Sequence, residues 1–181
     1  SFDLNYRATF WKGREDALSE AFGEIASLAD VLIGNEEDFT ACLGFKIEGN
    51  DADLKELNME GYEKMLGEVC KAYPNFKVIA TTLRTVITAT VNSWKAICYA
   101  DGKIYHSIEF PQLEILDRVG GGDSFASGLI YGLMTYQDAQ KAVNYGAVHG
   151  ALAMTTPGDT SMASLKEVEA KVNGGTARVQ R

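Results

Sequence analysis

Asp117-Arg118-Val119-Gly120-Gly121-Gly122-Asp123-Ser124-Phe125-Ala126-Ser127-Gly128 decides how the rest of this chain is read. Three consecutive glycines end in an aspartate, and an apolar run at helical spacing follows (Phe125, Ala126, Leu129, Ile130, Leu133). Glycines permit a tight turn whose N–H groups stay bare and converge. A helix starting there adds the positive end of its dipole, so turn and helix together form an anion site suited to phosphate. Asp123 stands at the mouth of that site, where a carboxylate can take the proton of an attacking hydroxyl. Phosphoryl transfer to an alcohol needs both parts. The plainer reading is a glycine-rich loop whose aspartate only favours a helix start.

Outward from this stretch, helices alternate with strands. Before it, Leu18, Phe22, Ile25 and Leu28 recur at helical spacing and predict an amphipathic helix over about residues 14–29. Val31-Leu32-Ile33-Gly34 has the form of a buried parallel strand. Asn35 then reads as an N-cap, with Glu36, Glu37 and Asp38 in a first turn that favours negative charge. Residues 44–58 are polar and predict a loop or insertion. Tyr62, Met65, Leu66, Val69, Cys70 and Tyr73 form a helical stripe that ends before Pro74. Residues 2–5 and 77–81 read as strands, and Asp101-Gly102 joins two more, near 93–100 and 103–109, as a hairpin. After the glycine stretch, residues 138–154 predict an Ala/Gly-rich helix that Pro157-Gly158 breaks. Ser164 and Glu167 form a capping box for a last helix. The pattern is that of an α/β protein with a mostly parallel central sheet.

Composition removes several classes of function. The 181 residues are 46% hydrophobic and 23% charged, ordinary values for a globular protein with a real core. The net charge of −8, with no basic run or stripe, argues against nucleic acid as a partner. An acidic chain that binds an anionic nucleotide must do so through local backbone donors and a few placed cations. Three cysteines (Cys42, Cys70, Cys98) without metal-ligand spacing read as buried thiols of a reducing cytosol. The two histidines, His106 and His149, lie far apart and support no zinc site. No apolar run reaches membrane-spanning length, so a cytoplasmic location is expected. A dinucleotide fingerprint fails, because Phe125 stands where Gly or Ala would be needed after Gly120 and Gly122.

Ser1-Phe2-Asp3-Leu4-Asn5-Tyr6-Arg7 is the second informative stretch. A strand that ends in Asn-x-Arg puts an amide and a guanidinium at the edge where open α/β sheets bind ligands. Arginine can hold a carboxylate with two parallel hydrogen bonds, although a surface arginine after a strand is the commoner case.

The glycine stretch resembles the C-terminal signature of the ribokinase-like (PfkB-type) carbohydrate kinases, in which Asp-Thr-x-Gly-Ala-Gly-Asp opens a helix. Arg118 departs from the small residue usual at its position. Asp-x-Asn-x-Arg is similar to a segment of the 2-keto-3-deoxygluconate kinases of that family. The resemblance implies a three-layer α/β/α fold of which this chain is the C-terminal portion, residues 1–181. The family's N-terminal half, with its sugar pocket and the β lid that often dimerises, would be absent. It implies ATP-dependent phosphorylation of the primary hydroxyl of a sugar acid, with Mg²⁺ as cofactor and a monovalent cation as a further one. Asp123 would be the catalytic base and would also touch substrate, and Gly120, Gly121 and Gly122 would form the anion hole. Arg7 and Asp159 would bind substrate. Asn5, Thr82, Leu83, Arg84, Gly120, Gly122 and Asn144 would bind ATP, and Asn35 and Asp38 would lie in the outer shell of the metal. The alternatives are a same-fold kinase of fructose, ribose or a nucleoside, and a non-catalytic fragment or regulatory subunit that binds nucleotide.

Overall fold

A computed structural model describes residues 1–47 and 58–174, so most of the loop expected over 44–58 lies outside the described residues. The strands are β1 (Phe2–Asp3), β2 (Val31–Gly34), β3 (Val78–Val86), β4 (Val91–Ala100), β5 (Lys103–His106) and β6 (Phe110–Glu114). The helices are α1 (Ala8–Trp11), α2 (Glu15–Ala26), α3 (Glu36–Leu43), α4 (Met59–Ala72), α5 (Gly121–Tyr136), α6 (Ala139–Met154) and α7 (Leu165–Val172). The strand order is β1-β2-β3-β4-β5, with β6 on β4. The first two pairings are parallel and β4–β6 is antiparallel, which makes the sheet mixed. Among the described residues, no helix is long and apolar enough to cross a membrane.

The chain divides into two compact units: Ser1–Leu83 with Ile97–Ile104, and Arg84–Ala96 with Tyr105–Arg181. In the first unit, the parallel strands bury Leu32 and Ile79 against Leu18, Phe39, Tyr62 and Leu66 from the helices. Register follows from the apolar runs, with Leu32 opposite Ile79 and Ile33 opposite Ala80. Asn75 donates to the carbonyls of Ala26 (2.8 Å) and Ala29 (2.6 Å), which satisfies acceptors left open at the end of α2. The hairpin expected at Asp101-Gly102 is present. Both residues have positive φ (50° and 75°), as a two-residue turn of right-handed twist demands.

In the second unit, α5 and α6 pack closely because glycines face the contact. A Cβ built at Gly128 would stand 2.6 Å from the Tyr145 carbonyl oxygen, and one at Gly132 would stand 2.5 Å from the Ala142 Cα. Trp94 of β4 donates its indole N–H to the Ala147 carbonyl at 2.8 Å and meets the Phe125 ring edge-on. Tyr145, Val148 and Val168 form a second core, with Tyr131 and Tyr136 packed on it. The predicted Ser164–Glu167 capping box is formed on α7, and Asn35, predicted as an N-cap, forms one with Asp38 on α3.

Candidate active site

The glycine loop takes the form its sequence implies. Gly120 is the N-cap of α5, with φ 79°, a left-handed conformation that favours glycine. No side chain caps this helix end. The Ser124 amide bonds the Gly120 carbonyl at 2.9 Å and the Gly121 amide reaches Arg118 at 3.4 Å. The amides of Gly122 and Asp123 have no acceptor among the described residues. Both residues are exposed, so open donors and the Asp123 carboxylate share one turn at the positive end of a 16-residue helix. Gly121 is buried against the Met154 side chain.

Three further segments of this unit meet the loop. The Asp159 backbone carbonyl lies directly against the Gly120 Cα, where it would collide with any Cβ. The Asp159 side chain is exposed and accepts from Thr160 Oγ1 at 3.3 Å. The Met154 carbonyl accepts from the amides of Leu116 (2.9 Å) and Asp117 (3.3 Å), which fixes the approach to the glycines. Arg118 donates through Nη2 to the Ala89 carbonyl at 3.1 Å and so ties the loop to the β3–β4 turn. Arg84 is exposed by surface area, yet it lies among enough protein atoms for desolvation to lower its pKa, with the Arg118 charge adding to the effect. Neither arginine has a carboxylate within ion-pair distance among the described residues. Asn144 Oδ1 accepts from the Ile108 amide at 2.9 Å, so this side chain fastens the segment after β5 to α6.

In the other unit, β1 ends in a tight turn. Asn5 has φ 40°, and its amide donates to Asp3 Oδ1 at 3.2 Å. Asp38 joins this turn to the start of α3: its Oδ1 accepts from the Tyr6 amide at 2.9 Å and its Oδ2 from the Asn35 amide at 2.7 Å. Asn35 Oδ1 accepts from the Asp38 amide at 3.1 Å in return. Burial raises the Asp38 pKa, against the pull of these two amides and of the Arg7 charge. Gly34 lets the turns approach, since a Cβ there would stand 3.1 Å from Leu4 and 3.2 Å from Asp38. Arg7 is exposed and, among the described residues, donates only to the Tyr6 carbonyl, at 3.1 Å, which leaves most of its fork available to a ligand.

Some expected placements need correction. The strand expected over 77–81 runs on to Val86, so Thr82, Leu83 and Arg84 lie within β3. Leu83 is 1% exposed and belongs to the core, so its side chain faces no ligand, whereas Thr82 is half-buried. Asp38 is 5% exposed and each of its oxygens accepts from a backbone amide, so it is not placed to bind a metal directly. No cluster of three or more His, Cys, Asp or Glu suited to a metal ion occurs among the described residues. Within the second unit, the structure brings together Gly120, Gly122, Asp123 and Asp159. Within the first, it brings together Arg7, Asn35 and Asp38. Sequence reasoning missed the Arg118–Ala89 tie and the role of the Met154 carbonyl. The first had a visible signal, a long cation where a small residue is usual, and the second had none.

Residues 1–166 match the model of the pfkB family carbohydrate kinases. Among solved structures, the chain is similar to a 2-dehydro-3-deoxygluconokinase from Thermotoga maritima, at 40% identity and a TM-score of 0.85, over 95% of this chain and 50% of that one. It is 28% identical to the 2-dehydro-3-deoxygalactonokinase of Haloferax volcanii, covering 100% of this chain and 49% of the relative. It is 26% identical to the 5-dehydro-2-deoxygluconokinase of Clostridium botulinum, covering 92% and 44%. The chain spans about half the length of the relatives it matches.

Proposed function

Because the chain belongs to the pfkB family of carbohydrate kinases, we propose that it supplies the phosphate loop and the base of an ATP-dependent kinase of a sugar acid, 2-keto-3-deoxygluconate. One observation carries the reading: an exposed Asp123 beside the open Gly122 and Asp123 amides, at the uncapped start of α5. In the proposed reaction the Asp123 carboxylate takes the proton of the primary hydroxyl as its oxygen bonds to the γ-phosphorus. The bond from that phosphorus to the bridging oxygen breaks, and ADP leaves. The open amides hold the negative charge that develops on the phosphoryl oxygens. Arg118, two residues before Gly120, adds positive charge beside the loop, and its charge is felt by the exposed Arg84. A magnesium ion, when bound, neutralises phosphate charge. The described residues build no cage for it, so in this reading it arrives on the nucleotide.

The sugar-acid reading is supported by Arg7, which has no carboxylate within ion-pair distance among the described residues and whose charge is felt by Asp38, whose oxygens accept from backbone amides. It is supported also by the three relatives, all named as kinases of dehydro-deoxy sugar acids. The rest of the sugar pocket would come from the half of the relatives' length that this chain does not span.

The test is ADP release from Mg-ATP with 2-keto-3-deoxygluconate, fructose, ribose and adenosine offered in turn. The chain is assayed alone and in a version extended to the length of its relatives. Turnover with the sugar acid is expected in the longer version. Asp123→Asn is expected to lower kcat at least a thousandfold, about 4 kcal/mol of barrier, without loss of fold. Arg7→Ala should raise KM for the sugar acid far more than KM for ATP. Turnover with fructose or ribose alone would discard the Arg7 argument and keep the kinase. Silence from the longer version, with nucleotide still bound, would favour a non-catalytic nucleotide-binding subunit.

A further inference from the structure

His149 lies outside everything assigned above, yet both of its ring nitrogens are engaged. Nδ1 is 3.0 Å from Ser127 Oγ of α5, and Nε2 is 2.8 Å from Ser161 Oγ, in the loop between α6 and α7. The proton positions follow from the partners. Ser127 donates its hydroxyl hydrogen to the Ser124 carbonyl at 3.0 Å, so towards His149 it can only accept. With Ser127 so engaged, the ring carries its hydrogen on Nδ1 and Nε2 is bare. Ser161 then donates to Nε2, and its oxygen accepts from the Ala163 amide at 3.3 Å. This chain of bonds runs from the loop through α6 to the first turns of α5. Burial lowers the His149 pKa, against a hydrogen bond to the Ser124 carbonyl that raises it, and so favours the neutral ring of this arrangement.

The same loop carries Asp159, whose carbonyl rests against Gly120. It is therefore held at two points two residues apart: by a packed backbone contact on the glycine loop and by hydrogen bonds to a ring seated on the helix that the glycine loop opens. We propose that His149 is a positioning residue: through Ser161 it fastens the loop after α6 to α5, and so sets the posture of Gly120 and of the open amides that follow it. The consequence for phosphate binding rests on the reading above, whereas the fastening can be tested with no ligand at all.

The test uses the full chain, labelled with ¹⁵N. A long-range ¹H–¹⁵N spectrum is expected to show His149 as the Nδ1–H tautomer, the minority form of a free histidine side chain in water. Ser161→Ala, a mild change that leaves the ring in place, should shift the Gly120, Gly121 and Gly122 amide resonances. It should also speed hydrogen exchange in residues 155–163 about tenfold. His149→Phe should do the same. The double variant should go no further than His149→Phe alone, because both remove one link. His149→Gln, which can still reach Ser161, should restore the resonances in part. Mg-ATP affinity is expected to fall about tenfold in Ser161→Ala, the scale on which a supporting contact acts on a site. An Nε2–H tautomer, or unmoved glycine resonances in a folded Ser161→Ala variant, would overturn the proposal. Shifted resonances in a chain that binds no Mg-ATP would keep the fastening and remove the nucleotide reading.

Discussion

A Cβ at position 120 has no space to occupy. Gly120 combines φ 79° with the Asp159 carbonyl pressed against its Cα, so Gly120→Ala is strained in its backbone and blocked in space. The left-handed conformation alone costs an L-residue about 1–2 kcal/mol, and displacement of the Asp159 loop adds to it. A clear fall in melting temperature is expected, together with loss of phosphate binding. Gly122→Ala is the control, because a Cβ there meets nothing within 4 Å, and its melting temperature should stay near that of the parent. Asp38 makes a different prediction, one about pH. Its carboxyl titrates above its ordinary 3.8 because it is buried. A carboxyl raised in the folded state contributes stability that is fully present below the unfolded value and is lost as pH rises through the folded one. Denaturant titrations across the acid range should show this loss in the parent and not in Asp38→Asn. The variant should also be less stable near neutrality, by about 1–3 kcal/mol, because its amide nitrogen cannot accept from one of the two backbone amides that Asp38 serves.

At the scale of elements, the contact between α5 and α6 is the most sensitive to added volume. Gly128→Ala and Gly132→Ala would each improve helix propensity, yet each puts a methyl group into the backbone of the facing helix. Overpacking should win, with a loss of about 1–3 kcal/mol for each in chemical denaturation. Elements with strong local signals were legible in sequence. Val31–Gly34 is a strand where its apolar run predicted one, Asn35 caps α3 as predicted, and the capping box formed where Ser164 and Glu167 announced it. β6 gave no signal, because Phe110-Pro111-Gln112-Leu113-Glu114 buries only Leu113, and its pairing with β4 shifts register between Asn92 and Trp94. The extension of β3 to Val86 was hidden by the polar residues Thr81, Thr82 and Arg84, which break an apolar run although Leu83 between them is core. At the candidate site, the turn and its aspartate were legible because glycine and a helix start are local properties. The hold of Asp159 on Gly120 and of Arg118 on Ala89 was not, because each joins residues about thirty or more positions apart by way of a backbone carbonyl.

For the molecule as a whole, the two tryptophans fall one to each compact unit, Trp11 in Ser1–Leu83 and Trp94 in Arg84–Ala96. Their surroundings differ. Trp11 is half-buried beneath the Arg14 guanidinium, 5.1 Å from its ring centre, and meets Phe22 edge-on. Trp94 is 5% exposed, with its indole N–H bonded to a carbonyl of α6. The chain thus carries a two-colour optical gauge: a red-shifted emitter reports on the first unit and a blue-shifted one on the second. Trp11→Phe and Trp94→Phe would each leave one channel. β3 and β4 each contribute residues to both units, so the two channels are expected to change colour at the same denaturant concentration, and separate midpoints would mark two independently folding parts. Phosphate added to the native chain should dim the blue channel alone, since the Trp94 ring touches Gly150, which in turn abuts the Gly121 carbonyl of the loop.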